Sequence, residues 1–215
     1  MRAEKANIEL YRRRLSHEEI NALPMYQYDG PVVLIRSLTE WEKVCSDVQA
    51  TEVLGFDTET RPTFKKGKVN APSLVQLATA QAVYLIQLCW LPLGSYITKI
   101  LADPGILKVG VGIKYDMQIL SKQSAFVPQG LVDIGTVAKW NLLSAQGLRT
   151  LSATLFGWRI SNGSQCSNWS LASLSPKQII YAATDAWVGR LIYCRMKELG
   201  FQFTRPCECS TKTSG

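Results

Sequence analysis

The chain has 215 residues, 47% of them hydrophobic and 19% charged, which suits one α/β domain with a sizeable core and excludes a disordered polymer. No apolar run reaches the ~20 residues of a membrane helix. The polar start MRAEKANIELYRRR has no secretion-signal core, so the expectation is an intracellular protein: cytoplasmic in a bacterium, nuclear in a eukaryote. A net charge of +7 favours polyanionic partners, nucleic acid first among them.

Residues 1–24 read as helical: Ser16 with Glu19 forms a capping box, and Pro24 ends the short helix it opens. PVVLIRS (31–37) is a short apolar strand. Thr39 with Glu42 forms a second capping box, and Trp41, Val44, Cys45 and Val48 share one face of a helix over 40–49. EVLGFDTET (52–60) is a buried strand ending in carboxylates, and RPTFKKGKVNAP (61–72) is a polar, basic loop. SLVQLAT (73–79) and AVYLIQL (82–88) form a hairpin, so three strands in series predict an antiparallel part of the sheet. LPLGSYITKILADP (91–104) is a helix, LKVGVGI (107–113) a strand and DMQILSKQ (116–123) a helix. LVDIG (131–135) is a short strand leading into the helix TVAKWNLL (136–143). LRTLSATLFG (148–157) is an amphipathic helix ending at glycine. Residues 175–200 are the longest helix, with Ser175 as cap, Pro176 at its first position and Gly200 at its close.

The predicted organisation is an N-terminal helical arm (1–30), one domain (31–203) and a polar C-terminal tail (204–215) expected to be flexible. The fold class is α/β: a ribonuclease H-like mixed sheet of five to six strands flanked by helices. A doubly wound dinucleotide fold fits less well, because no G-x-G-x-x-G opens a helix.

Six cysteines form no C-x-x-C pair and no zinc framework. Cys45, Cys89 and Cys194 have apolar neighbours and read as small buried hydrophobes, while Cys207 and Cys209 fall in the tail. The single histidine, His17, lies in a charged segment without catalytic neighbours, which disfavours histidine-dependent serine and cysteine hydrolases.

Carboxylates carry the chemistry. Asp57 and Glu59 are two apart on an apolar strand, so both project to one face. Asp116 follows an apolar strand at a helix start, where an aspartate is also an ordinary cap. Tyr181 and Asp185 are four apart on the last helix and share a face, with Asp185 set among Ala, Trp and Val. Each has a bland explanation alone. Together they are hard oxygen ligands without an equal set of buried cations, which suits Mg²⁺ or Mn²⁺. Two such ions ~4 Å apart can flank a phosphodiester.

In order, FDTE, GIKYD and YAATD resemble the three motifs of the DEDD 3'-5' exonucleases, of the DnaQ-like, ribonuclease H-like superfamily. Tyr181 in the third motif is similar to the DEDDy subclass, and CSNWS followed by LSPKQIIYAATDA resembles the Werner-type exonuclease group. The likeness runs from about residue 31 to 200.

The resemblance implies two divalent ions. Asp57 and Glu59 would bind them, with Glu59 also touching the attacking water; Asp116 would hold the outer ion through water, and Asp185 the inner ion. Tyr181 would orient the water or help deprotonate it. Many members of the wider superfamily carry an asparagine before the second-motif aspartate; GVGIKYD has none, a departure that bears on a secondary substrate contact and not on the metal site.

Basic groups in the 61–72 loop (Arg61, Lys65, Lys66 and Lys68) are candidates for backbone phosphates, and Phe64 for a base. Asn168 and Trp169, with Ser167, resemble a loop near the active site in the Werner-type group, although Trp169 also suits a core. Asp133 is expected to be structural. The expected activity is release of nucleoside monophosphates from the 3' end of single-stranded or 3'-ended duplex nucleic acid. Ribonuclease D carries extra helical domains for which this chain has no room, which tilts the expectation to DNA. The rivals are ribonuclease D-like RNA trimming and a nucleic-acid-binding protein with a weakly active site.

Overall fold

The computed structural model describes residues 8–63 and 70–205. Phe64, Lys65, Lys66 and Lys68 of the basic loop, and Cys207 and Cys209, lie outside the described residues.

The apolar runs form one six-stranded sheet in the order β1-β4-β3-β2-β5-β6. Its strands are β1 (Val32–Ile35), β2 (Val53–Thr60), β3 (Pro72–Ala78), β4 (Val83–Gln87), β5 (Leu107–Gly110) and β6 (Leu131–Asp133). β2, β3 and β4 form the antiparallel meander that their short connections require, and β1, β5 and β6 add in parallel, so the sheet is mixed. The central strands are buried on both faces. Leu54, Phe56, Val75, Leu77 and Ile86 pack against α4 (Ser95–Ala102) and α5 (Ile113–Gln123) through Ile97, Leu101, Ile113, Met117 and Leu120. On the other face, Leu74, Leu85 and Val109 lie under α8 (Pro176–Glu198), whose Ala182, Ala183, Ala186, Val188 and Ile192 point inward.

Small residues let α8 come close. A Cβ on Gly55 would stand 2.1 Å from the Ala186 carbonyl oxygen, so helix and strand touch backbone to backbone there. α8 starts where its sequence says: Ser175 and Gln178 form a reciprocal capping box, and Pro176 occupies the first turn. α1 (His17–Ala22) is opened by the Ser16–Glu19 box. The arm is tied down beyond it, where the Tyr26 N–H donates to the Arg159 carbonyl and the Arg159 N–H to the Pro24 carbonyl.

Four readings change. The helix expected over 40–49 is two short ones, α2 (Leu38–Glu42) and α3 (Cys45–Gln49). The cap is Ser37, still extended after β1, with its hydroxyl accepting from the Glu40 N–H; Thr39 is already inside the helix, and Val44 leaves helical geometry. α5 starts at Ile113, not Asp116, because Gly112 takes a left-handed conformation (φ 73°) that ends the strand early. LKVGVGI is not purely apolar: Lys108 is fully buried, its ammonium donating to the carbonyls of Ile100, Asp103 and Ile106. Cys89 is exposed, and Cys45 and Cys194 are only partly buried.

The remaining helices are α6 (Ile134–Trp140), capped by the Asp133 carboxylate, and α7 (Leu148–Phe156), which ends at Gly157 in the left-handed region. No helix among the described residues is long and apolar enough to cross a membrane.

Candidate active site

β2 carries Asp57 and Glu59 to the end of the sheet, where its pairing with β3 becomes irregular between Glu59 and Thr60. Strand alternation turns both carboxylates toward α8. Asp185 lies on the buried face of α8, with Tyr181 one turn before it. Carboxylate oxygens of Asp57, Glu59 and Asp185 all lie within 4.8 Å of one another. Glu59 is 8% exposed and Asp185 7%.

Asp116 stands outside this cluster. It projects from the first turn of α5 near Thr58, on the far side of β2, yet close enough for its charge to act on Asp57 and Glu59.

Such crowding is electrostatically costly without a cation. Burial, and then the Asp185 charge, hold Asp57 well above the carboxylate range, against the Thr58 N–H that donates to it. Burial followed by the charges of Asp57, Asp185 and Asp116 pushes Glu59 up to about 10. Burial raises Asp185 to about 7, opposed by the Tyr181 hydroxyl, and raises Asp116 to about 6. Tyr181 is pushed far above its ordinary value by burial and by the Asp185 and Glu59 charges, so its phenol keeps its proton.

The ion pairs among the described residues are Arg12–Glu9, Arg13–Glu19 and Arg195–Glu198, all away from this cluster. Three crowded, mutually repelling carboxylates, two of them buried and one partly so, without a cationic partner among the described residues, fit a hard divalent ion.

The carboxylates open into a cleft of about 360 Å³ between the end of β2, the start of α7 and the segment 160–165. Tyr181 and Ser161 also line a neighbouring cavity of about 530 Å³ with Tyr26, Gln27 and Lys177. Among the residues of the cleft wall that went unread in the sequence are Arg149 and Thr150, at the start of α7. Nothing but an arginine at a helix start marked them. Gln76 was also missed. It is fully buried, pairs in register with Asp57 across β2 and β3, and its side-chain amide has no hydrogen-bond partner among the described residues. The signal was a polar residue on the inward face of SLVQLAT.

Of the expected nucleic-acid contacts, Arg61, Asn168 and Trp169 are not among the residues lining this cleft. Arg61 is exposed just past β2, where its carbonyl accepts from the Asn70 side chain. Asn168 is exposed but braces its own turn, its side-chain oxygen accepting from the Ser170 N–H and hydroxyl. Trp169 is 1% exposed and packs on Tyr181, so it offers no ring face to a base; the apolar underside of α8 takes it in. The CSNWS segment instead braces the start of α8: the Gln178 amide donates to the Ser167 hydroxyl and the Asn168 carbonyl.

The chain is 29% identical over 188 residues to the bifunctional 3'-5' exonuclease/ATP-dependent helicase WRN of Mus musculus, covering 83% of this chain and 13% of that protein. It is 28% identical over 180 residues to ribonuclease D of Granulibacter bethesdensis, covering 80% of this chain and 43% of the relative. It thus spans less than half the length of either. The crystal structure of the Aedes aegypti Nibbler EXO domain shares the fold, with a TM-score of 0.70 and 24% identity over 81% of this chain and 92% of that one. The family described as 3'-5' exonuclease matches residues 32–200, and to that family the chain belongs.

Proposed function

We propose that the chain hydrolyses phosphodiester bonds one nucleotide at a time from the 3' end of a nucleic acid, releasing nucleoside monophosphates by two-metal-ion catalysis. The observation that carries the reading is the Asp57–Glu59–Asp185 cluster beside Tyr181, at the floor of an open cleft. Two divalent ions, Mg²⁺ or Mn²⁺, would be held by Asp57, Glu59 and Asp185, with Asp116 reaching the outer one through water. Bound there, they supply the Lewis acidity that activates water and stabilises the leaving oxygen.

The protein's groups do the rest. Glu59 accepts a hydrogen bond from the attacking water. Tyr181, protonated, orients that water and is not its base. Water adds to the phosphorus of the last phosphodiester, the bond to the 3' oxygen of the preceding nucleotide breaks, and that oxygen takes up a proton. The shortened strand keeps a 3' hydroxyl and can re-enter the cleft.

DNA is the substrate we assign, on the Werner-type motif string. RNA trimming is the second reading, favoured by the 28% identity to a ribonuclease D. The test is incubation with 5'-labelled DNA and RNA of one sequence, single-stranded and 3'-recessed, with Mg²⁺, Mn²⁺ or EDTA. A ladder shortening from the 3' end, absent in EDTA and in Asp57→Ala, is expected. Internal cuts, or cleavage that survives EDTA, would sink the mechanism, and preference for the RNA strand would transfer the assignment to RNA.

A further inference from the structure

We propose that Arg149 binds a phosphate of the substrate strand inside the catalytic cleft, an inference that rests on the nucleic-acid reading above. Among the described residues lining the cleft that holds Asp57, Glu59 and Asp185, Arg149 is the only Lys or Arg. It forms no ion pair among the described residues, although three carboxylates share its cleft. Its guanidinium is already positioned: Nη2 donates to the Asn21 side-chain oxygen at 2.5 Å, which ties the start of α7 to the N-terminal arm.

The Nε–H is the unexplained group. It is buried and has no partner. Buried donors are almost always satisfied in native proteins, and a phosphate oxygen of a strand lying in the cleft is an acceptor of the right chemistry. A guanidinium fork offers parallel donors at the spacing of two non-bridging phosphate oxygens. Thr150, next in the chain, lines the same wall, but its hydroxyl is committed to the Gly147 carbonyl, which leaves Arg149 as the anion-binding side chain at the start of α7.

Two readouts test this. The first is binding of a 5'-labelled single-stranded oligonucleotide across a series of KCl concentrations, measured with Mg²⁺ on Asp57→Ala and on Asp57→Ala/Arg149→Gln. Loss of one phosphate contact should lower the slope of log K against log[salt] by about 0.7. The second is cleavage by Arg149→Gln and Arg149→Lys alone. The glutamine variant should raise KM about tenfold with kcat changed less than about threefold. The lysine variant should keep the wild-type salt slope, because the charge remains, while KM stays raised, because the fork is gone. A purely structural arginine would lower the melting temperature and leave the salt slope alone. An unchanged slope and KM in Arg149→Gln overturns the proposal even if the wild-type protein is an exonuclease. A reduced slope in a protein that cleaves nothing upholds it and overturns the exonuclease reading instead.

Discussion

The indole of Trp169 lies against the phenol of Tyr181, ring centroids 5.9 Å apart and tilted by 40°. The indole is buried under α8, and its N–H has no partner among the described residues. Its contribution is therefore the plane of its ring, which limits where the Tyr181 hydroxyl can point. Trp169→Ala should cost about 3–5 kcal/mol of stability in urea unfolding. Well below its melting temperature it should still have a reduced kcat, because Tyr181 is no longer held. Trp169→Phe should recover most of both, since it keeps a ring and removes an unpaired N–H. If Trp169→Ala instead changes the salt dependence of oligonucleotide binding and spares kcat, the ring contacts the strand.

The carboxylate cluster makes stability depend on pH and metal together. Glu59 is raised from 4.5 to about 10 and Asp185 from 3.8 to about 7. Between those limits the folded, metal-free protein holds more protons than the unfolded chain, so its stability falls as pH rises. In EDTA the melting temperature should drop from about pH 5 to about pH 9. Mg²⁺ or Mn²⁺ should raise it, and by more at about pH 8 than at about pH 5, where protons compete for the same oxygens. Asp57→Asn should melt higher than wild type in EDTA at about pH 8 and lose the metal response. Scanning calorimetry reads all three, and a wild-type protein indifferent to metal at every pH would remove the cluster as a metal site.

What the chain disclosed in advance was local. The spacing of two in Asp57 and Glu59 and of four in Tyr181 and Asp185 assigned each pair to one face, and the structure brings the two faces together. Ser16 with Glu19, and Ser175 with Pro176, announced their helices because a cap and its first turn lie within four residues. What stayed hidden depends on distant partners. Trp169 reads equally as a nucleic-acid contact or as core until the underside of α8 encloses it. Nothing singles out Arg149 until the fold sets it in the wall of the carboxylate cleft, with its guanidinium held by Asn21 from far off in the chain. The break at Lys43 and Val44 was invisible because the apolar spacing of 40–49 runs unbroken across two helices.

Lys108 illustrates the same point energetically. Its ammonium donates to the carbonyls of Ile100 at 3.0 Å, Asp103 at 2.7 Å and Ile106 at 2.7 Å, closing the end of α4 against β5. Burial lowers it to about 8. Lys108→Met fits the apolar stem but strands three carbonyls. It should destabilise the protein by about 3 kcal/mol in urea unfolding. Cleavage at temperatures where the variant stays folded should match wild type, because Lys108 touches nothing in the cleft. A neutral variant would mean that water replaces the ammonium.

Gly55 tests whether the packing of α8 sets the geometry of the site. A Cβ there would lie 2.1 Å from the Ala186 carbonyl oxygen and 3.0 Å from the Arg190 Cβ. Backbone cannot yield as a side chain can, so Gly55→Ala must lift α8 off β2. Asp185 immediately precedes Ala186, and Asp57 and Glu59 follow Gly55 on the same strand face. The lift therefore separates the carboxylates on the helix from those on the strand. Overpacking of this kind costs about 1–3 kcal/mol. The loss of metal-dependent stabilisation and of kcat should exceed that of Lys108→Met, although the two variants are destabilised to a similar extent. Gly189→Ala is the control. Its added Cβ meets Val109 oxygen at 3.5 Å, an ordinary contact, and alanine favours the helix by about 1 kcal/mol. That variant should melt at or above wild type with an intact metal response. A Gly55→Ala protein with a wild-type metal shift and kcat would show that the cluster tolerates displacement of its helix, and that the close approach of α8 serves packing alone.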